Sequence, residues 1–238
     1  MKQTILLALF CIVFSASSLQ AQGSSADAPA TNASATNASA TNDIRLGAVF
    51  MPGLSANAGT VANGTKTDAT DFSWALGALA DFPLNQNIGI QVGLCYDNRT
   101  VGFHDQATSD TSNKYTFSYF SFRPELRIGD FVVGLGLGVP IGASSTASAD
   151  SKGQNAPTTL AASNMNFLLE GRIGAAVPIV DMQNGNEIKF HVEAAYAFSQ
   201  IVSSPLTPND GSQNKTENSG PIASVQLGIS YLFDLTPR

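Results

Sequence analysis

Two short stretches place groups capable of proton transfer on one side of an extended chain. In "IKFHVEAAYAF" His191 and Glu193 lie two residues apart, and in "MNFLLEGRIGAAVPIV" Glu170 and Arg172 have the same spacing. Residues i and i+2 of a strand share a face, so each pair stands side by side. A histidine next to a carboxylate is the base half of a hydrolytic site, and a membrane-embedded lipid A hydrolase would need it beside a nucleophile or an activated water. No serine shares the strand face of His191 nearby, and His191 falls close to a short turn, away from the long loops. The pairs therefore read as parts of a structural charge network, and no catalytic residue is assigned.

The remaining candidates for chemistry read the same way. His104 and Asp105 open a long loop, but two histidines in the whole chain make no zinc site. Asp68, Asp71, Asp110, Asp150 and Asp210 are scattered among different loops and read as solvated, so neither metal nor cofactor is expected. Cys95 reads as a small buried hydrophobe. The glycines of "FVVGLGLGVPIGAS" suggest a phosphate-binding loop, yet position 139 is Val and position 141 is Ile, so neither register gives Gly-x-Gly-x-x-Gly. No helix follows either.

The elements that must position these groups have an apolar period of two rather than 3.6. Eight stretches show it: residues 43–50, 71–82, 88–97, 119–129, 131–144, 165–180, 188–198 and 223–233. In 71–82, for example, Phe72, Trp74, Leu76, Ala78, Ala80 and Phe82 oppose Ser73, Ala75, Gly77, Leu79 and Asp81. In 165–180 the apolar row runs Met165, Phe167, Leu169, Ile173, Val177, Ile179. Short turns, "PLNQN", "GD" and "DMQNGN", alternate with long loops at about 57–68, 103–114, 143–163 and 203–220. Tight turns at one end and long loops at the other predict an all-β, eight-stranded antiparallel up-and-down barrel.

The direction of the apolar rows separates two barrels. A soluble lipocalin-like ligand binder turns them inward, whereas a transmembrane barrel turns them to lipid and fills its lumen with the polar rows. All the predicted strands but the eight-residue 43–50 reach or exceed the ~9–11 residues that cross a bilayer at a tilt. Phe72, Trp74, Phe82, Tyr96, Tyr196, Phe198, Tyr231 and Phe233 sit towards strand ends, where interfacial girdles belong. The polar rows hold Arg45, Arg123, Arg127, Arg172 and Lys189 together with Asp81, Glu125, Glu170 and Glu193, and these nine form the predicted lumen network. A lipid-facing Arg or Lys at the midplane costs ~2–4 kcal/mol, which explains why the apolar rows carry none.

Composition agrees with this reading. Charged residues are 13% of the 238, about half the ~25% of soluble domains, which leaves few charges for a wetted surface. A net charge of −6 opposes nucleic-acid binding, which needs a basic face. "ILLALFCIVF" after Lys2, followed by small residues, has the form of a secretory signal peptide, residues 1–21. Residues 22–42 repeat "ATNAS" without a large apolar group and read as a flexible low-complexity linker, leaving 43–238 for the barrel.

The segment "YFSFRPELRIGDFVVGLGLGVPIG", with the signal and the eight-strand meander, resembles the small outer-membrane β-barrels that include PorT-like proteins of Bacteroidetes and the OmpA transmembrane domain. Phe120, Pro124, Gly129 and Gly134 to Gly138 carry the likeness over about residues 43–235. Arg123 and Glu125 depart from it, as does the ending "YLFDLTPR". The resemblance implies a monomer in the bacterial outer membrane, in contact with its lipid, with a structural, adhesive or loop-mediated binding role towards extracellular ligands. Eight strands leave room only for side chains, so no open pore is expected. The inward glycines are expected to make room for Arg123, Glu125 and Arg127.

Overall fold

The computed structural model describes residues 44–59, 65–67, 70–105, 112–148, 158–182, 184–202 and 220–235. The stretches read as signal peptide and linker lie outside the described residues. Ten strands follow in chain order: β1 (Arg45–Asn57), β2 (Thr65–Thr67), β3 (Asp71–Pro83), β4 (Ile88–Asp105), β5 (Ser112–Ile128), β6 (Phe131–Ser148), β7 (Thr158–Ala161), β8 (Leu168–Asp181), β9 (Glu187–Ala197) and β10 (Ile222–Asp234). Eight of them pair antiparallel in the closed order β1-β3-β4-β5-β6-β8-β9-β10, and β10 returns to β1. The short β2 and β7 extend the sheet beside β4 and β6.

Register sets the shape of the barrel. One row of cross-strand partners runs Arg45, Asp81, Gln91, Glu125, Gly134, Arg172, Ala195, Ser224 and back to β1 at Ser55, ten residues beyond its start. Ten residues of ~3.3 Å spread over eight spacings of ~4.8 Å tilt the strands by about 40°. Inward side chains distant in sequence are thereby brought to one level.

The short connections have local causes. Asn85 Oδ1 accepts the backbone N–H groups of Asn87 and Ile88 at 2.9 and 2.8 Å, closing the β3–β4 turn. Gly129, at φ +60°, makes the two-residue β5–β6 turn, a conformation that excludes most side chains. Pro140 and Pro178 stand where the ladder slips, opposite Tyr119 and Lys189. A residue without an N–H is tolerated at such bulges.

The faces divide as alternation predicts, with the apolar rows outside. Leu46, Phe50, Leu76, Leu94, Phe122, Leu135, Ile173, Leu227 and Ile229 are exposed, while Asp81, Gln91, Arg123, Glu170, Arg172 and Lys189 are buried inside. The lipocalin-like alternative, which needs the reverse, does not describe this chain. Following the registers, the outward apolar band is about 25 Å tall. Phe82, Phe131, Tyr231 and Phe233 fall near its turn edge, and Phe72, Trp74, Tyr96, Phe120, Tyr196 and Phe198 near its loop edge. Ring pairs stabilise both edges, Tyr231 on Phe233 at 4.6 Å and Trp74 on Tyr96 at 5.4 Å between centroids.

Two expectations change. The predicted loop 103–114 is mostly strand: β4 and β5 stay in register to His104↔Ser112, and β6 runs on to Ser148. Above the band these strands turn Asn98, Thr100, Thr116 and Ser118 outward and Val101, Phe103, Tyr115, Phe117 and Tyr119 inward. The apolar face thus changes sides without a break in the period, because burial above the band means facing the barrel axis. Met165, read as lipid-facing, is buried in the same inward cluster, and so is Leu168. An isolated bridge from Met165 to Val202 holds it there, ahead of β8.

Candidate functional site

The barrel interior gathers nearly all the chemistry. Its turn end holds one small cluster: Lys189 Nζ donates to Asp81 Oδ2 at 2.6 Å, Arg127 Nε lies 3.5 Å from Asp81 Oδ1, and Arg45 pairs with Glu187. A larger cluster fills the middle. Arg172 binds three carboxylates, with Nε donating to Glu125 Oε1 at 3.0 Å and its other nitrogens to Glu170 and Glu193. Arg99 donates to Glu170 Oε1 at 3.1 Å and to Ser224 Oγ at 3.0 Å. Arg123 and Ser121 both donate to Asp97.

All nine residues of the predicted network therefore point inward and meet charged partners. Asp97, Arg99 and Glu187 join them. The nine alone hold five cations and four carboxylates. The three additions bring six of each, so no buried charge in the two clusters stands uncompensated, as burial demands. The missing signal was in the sequence. Cys95, Asp97, Arg99, Val101 and Phe103 continue one alternating row, and the strand simply runs further than its apolar partners suggest.

Glycine placement follows these large groups. Glu125, Glu170 and Glu193 each stand directly opposite a glycine of a neighbouring strand, namely Gly134, Gly136 and Gly174. A Cβ added there would lie 2.7, 2.5 and 2.8 Å from the respective glutamate Cγ. The expectation that β6 glycines accommodate Arg123, Glu125 and Arg127 thus holds for Glu125 alone. Arg123 lies against Gly93 and Arg127 against Gly89, on β4, while Gly138 leaves space for Tyr119 and Leu168. Each strand has two neighbours, and alternation does not say which of them uses a gap.

His191 has a partner that its own strand could not reveal. Its Nε2 is 2.8 Å from Ser230 Oγ on β10, and its Nδ1 is 3.6 Å from Glu193 Oε1. Serine, histidine and glutamate in this order have the connectivity of a nucleophilic triad. Their surroundings do not suit one. Ser230 and His191 are 0% and 1% exposed, Glu193 is engaged by Arg172, and the adjoining cavity, between Met51, Cys95, Glu125 and His191, has room for about one water. Nothing the size of an ester or a lipid reaches the hydroxyl. The contact instead ties β9 to β10.

Of the other candidates, Cys95 is buried against that cavity. Asp71 is no loop residue: it begins β3, is buried, and accepts from Lys114 Nζ at 2.8 Å. Among the described residues no group of three or more His, Cys, Asp or Glu could hold a metal ion. His104 pairs in register with Ser112, and Asp105 with Thr65. Asp68, Asp110, Asp150 and Asp210 lie outside the described residues.

Towards the loop end the interior turns largely apolar, with Asn57, Asp71, Asn113 and Ser145 buried among the apolar groups. Val101, Phe103, Tyr115, Phe117, Tyr119, Ala143, Met165, Leu168, Ala197, Ile201, Val202 and Ile222 form one buried cluster. Phe103 and Tyr115 meet edge to face at 5.7 Å, and Tyr115 stacks on Phe117 at 6.4 Å. This cap closes the barrel above the charge layers.

No protein-family model and no curated protein matches the chain. Among solved structures, it is similar to Ail, the attachment invasion locus protein of Yersinia pestis, in complex with the heparin analogue sucrose octasulfate, at 13% identity and a TM-score of 0.38, covering 80% of this chain and 99% of that one. It is similar to the outer membrane protein OprG from Pseudomonas aeruginosa at 16% identity and a TM-score of 0.37, over 82% and 97% of the two chains. With the outer membrane protein AlkL it shares 13% identity at a TM-score of 0.32, over 90% and 99%. The architecture of this chain, read from its own registers and faces, is a small eight-stranded antiparallel barrel whose apolar band faces outward.

Proposed function

We propose that this chain is a small bacterial outer-membrane β-barrel protein without an open pore, monomeric, with a structural, adhesive or loop-mediated binding role. The observation that carries the reading is the outward apolar band, about 25 Å tall between two rows of aromatic residues, the dimensions expected of a barrel that crosses the outer membrane. Residues 1–21 direct export and are removed, residues 22–42 form a tether, and the chain ends and short turns face the periplasm. The interior network of Arg45, Asp81, Arg123, Glu125, Arg127, Glu170, Arg172, Lys189 and Glu193 fills and stiffens the lumen and performs no catalysis. The long polar connections, on the other side, carry the contacts with extracellular ligands. Kinship with PorT-like proteins, suggested by Phe120, Pro124 and the β6 glycines, belongs to the same proposal.

The test is fractionation followed by gel migration. The mature chain should sediment with outer membranes, resist extraction by urea, and migrate differently before and after boiling. A mature chain that is folded and monodisperse in buffer without detergent defeats the reading. Protease added to intact cells should cut within 203–219 and leave the strands intact.

A further inference from the structure

Beyond the loop edge of the outward band, β4, β5, β6 and β7 continue as one paired wall with a hydroxyl-rich outer face. One row of cross-strand partners runs Thr100, Thr116, Ser144 and Thr159, a hydroxyl on each of four adjacent strands. All four residues are half-buried or exposed. Thr100 Oγ1 and Thr116 Oγ1 are 3.1 Å apart and share one hydrogen, and in the row below Ser118 Oγ accepts from Tyr96 Oη at 2.9 Å. These contacts fix the side chains yet leave hydroxyl hydrogens and lone pairs directed outward. Asn98, in register with Ser118, adds an amide. Of the described outward residues bordering the row only Lys114 is charged, and Asp71 Oδ1 accepts from it at 2.8 Å. Neutral hydrogen-bonding groups, not phosphates, match such a face.

Strand tilt makes the row climb away from the membrane. At about 40° each step to the next strand rises ~3 Å, so the row runs from about 5 Å beyond the apolar band at Thr100 to about 15 Å at Thr159. The head-group layer of a phospholipid leaflet is only about 5–8 Å deep. A phospholipid beside this wall reaches Thr100 and leaves the other three hydroxyls to water. A head group built of sugars stands tall enough to meet all four, and it carries the hydroxyl donors and acceptors that they pair with.

We propose that the outer wall of β4 to β7 is a docking surface for a glycolipid of the outer leaflet, whose uncharged sugar head group is held by Asn98, Thr100, Thr116, Ser118, Ser144 and Thr159. The surface continues the lipid-facing band without a gap, because Tyr96 and Phe120 stand one row below Asn98 and Ser118. The lipid's chains lie on the band where its sugars meet the row. The proposal rests on the membrane reading above and names the class of lipid that this face takes.

The experiment mixes the mature chain, purified in detergent, with equal amounts of digalactosyldiacylglycerol and phosphatidylcholine and counts bound lipid by native mass spectrometry. It compares wild type with Thr116→Val/Ser144→Ala/Thr159→Val and with the milder Thr116→Val. Wild type should retain the galactolipid about tenfold or more over phosphatidylcholine, equally at low and high salt. The triple variant should lose that preference while keeping the heat-dependent shift in migration, and Thr116→Val should lose about threefold of it. Equal retention of the two lipids by wild type overturns the proposal, as does an unchanged preference in folded variants or a preference that salt abolishes. So does displacement of the galactolipid by the free digalactoside at matched concentration, which would make the wall a site for soluble sugars. Failure of the membrane reading looks different, because wild type would then show no heat-dependent shift in any detergent.

Discussion

Arg172 on β8 reaches Glu125 on β5 across an intervening strand, with Nε 3.0 Å from Oε1, and that strand carries Gly134 in register with both. The ion pair passes over a residue that has no side chain to obstruct it. A Cβ at position 134 would stand 2.2 Å from the Pro124 carbonyl oxygen and 2.7 Å from Glu125 Cγ. Gly134→Val should therefore destabilise the barrel by on the order of 3 kcal/mol, through overpacking together with damage to a buried pair. Leu135→Val, one residue along and facing outward, should change stability far less. Urea unfolding in detergent micelles compares the two.

Arg172 is also the hub of the middle cluster, binding Glu125, Glu170 and Glu193. Removing it strands three buried carboxylates that share only Arg99, Arg123 and His191 nearby. Arg172→Leu should lose about 3–5 kcal/mol, whereas Arg45→Leu at the half-exposed turn mouth should lose about 1 kcal/mol or less. Comparable losses at the two sites, measured by the same unfolding, would falsify the ranking of the clusters.

Depth along the outward band gives an independent check of the membrane boundary. Leu135 lies near its middle and Ile44 at its turn edge, and both are exposed. Leu135→Arg should destabilise the protein in lipid bilayers by ~2–4 kcal/mol and Ile44→Arg by ~0–1 kcal/mol. Refolding equilibria in phosphatidylcholine vesicles report both values, and equal penalties would move the boundary.

Cys95 reports on packing of the interior. Its thiol is 1% exposed and lies 2.8 Å from where a Cβ on Gly77 would stand. In the folded barrel a maleimide should leave Cys95 unmodified over hours, and once the chain is unfolded in concentrated urea it should react within minutes. Rapid labelling of the folded form, located by peptide mass, would mean that the walls breathe widely. Gly77→Ala should raise the folded-state labelling rate, since the new methyl would stand 2.1 Å from the Leu94 carbonyl oxygen and 2.8 Å from the Cys95 sulfur and force β4 to shift.

What could be read without tertiary structure was whatever alternation alone determines. A period of two assigns each side chain to a face, so the inward charges and the outward Leu, Ile and Phe rows were legible residue by residue. Short turns such as Gly129–Asp130 marked one end. What a period of two cannot say is which inward residue meets which. That depends on closure and on the ten-residue offset around the barrel, and it is why Ser230 beside His191, Arg99 beside Glu170, and the glycine seats of the glutamates emerged only from the fold. Nor does alternation carry the position of water and lipid. Tyr115 and Phe117 turn inward on the same strand that turns Phe120 and Phe122 outward, because the surroundings change along the barrel axis while the backbone does not.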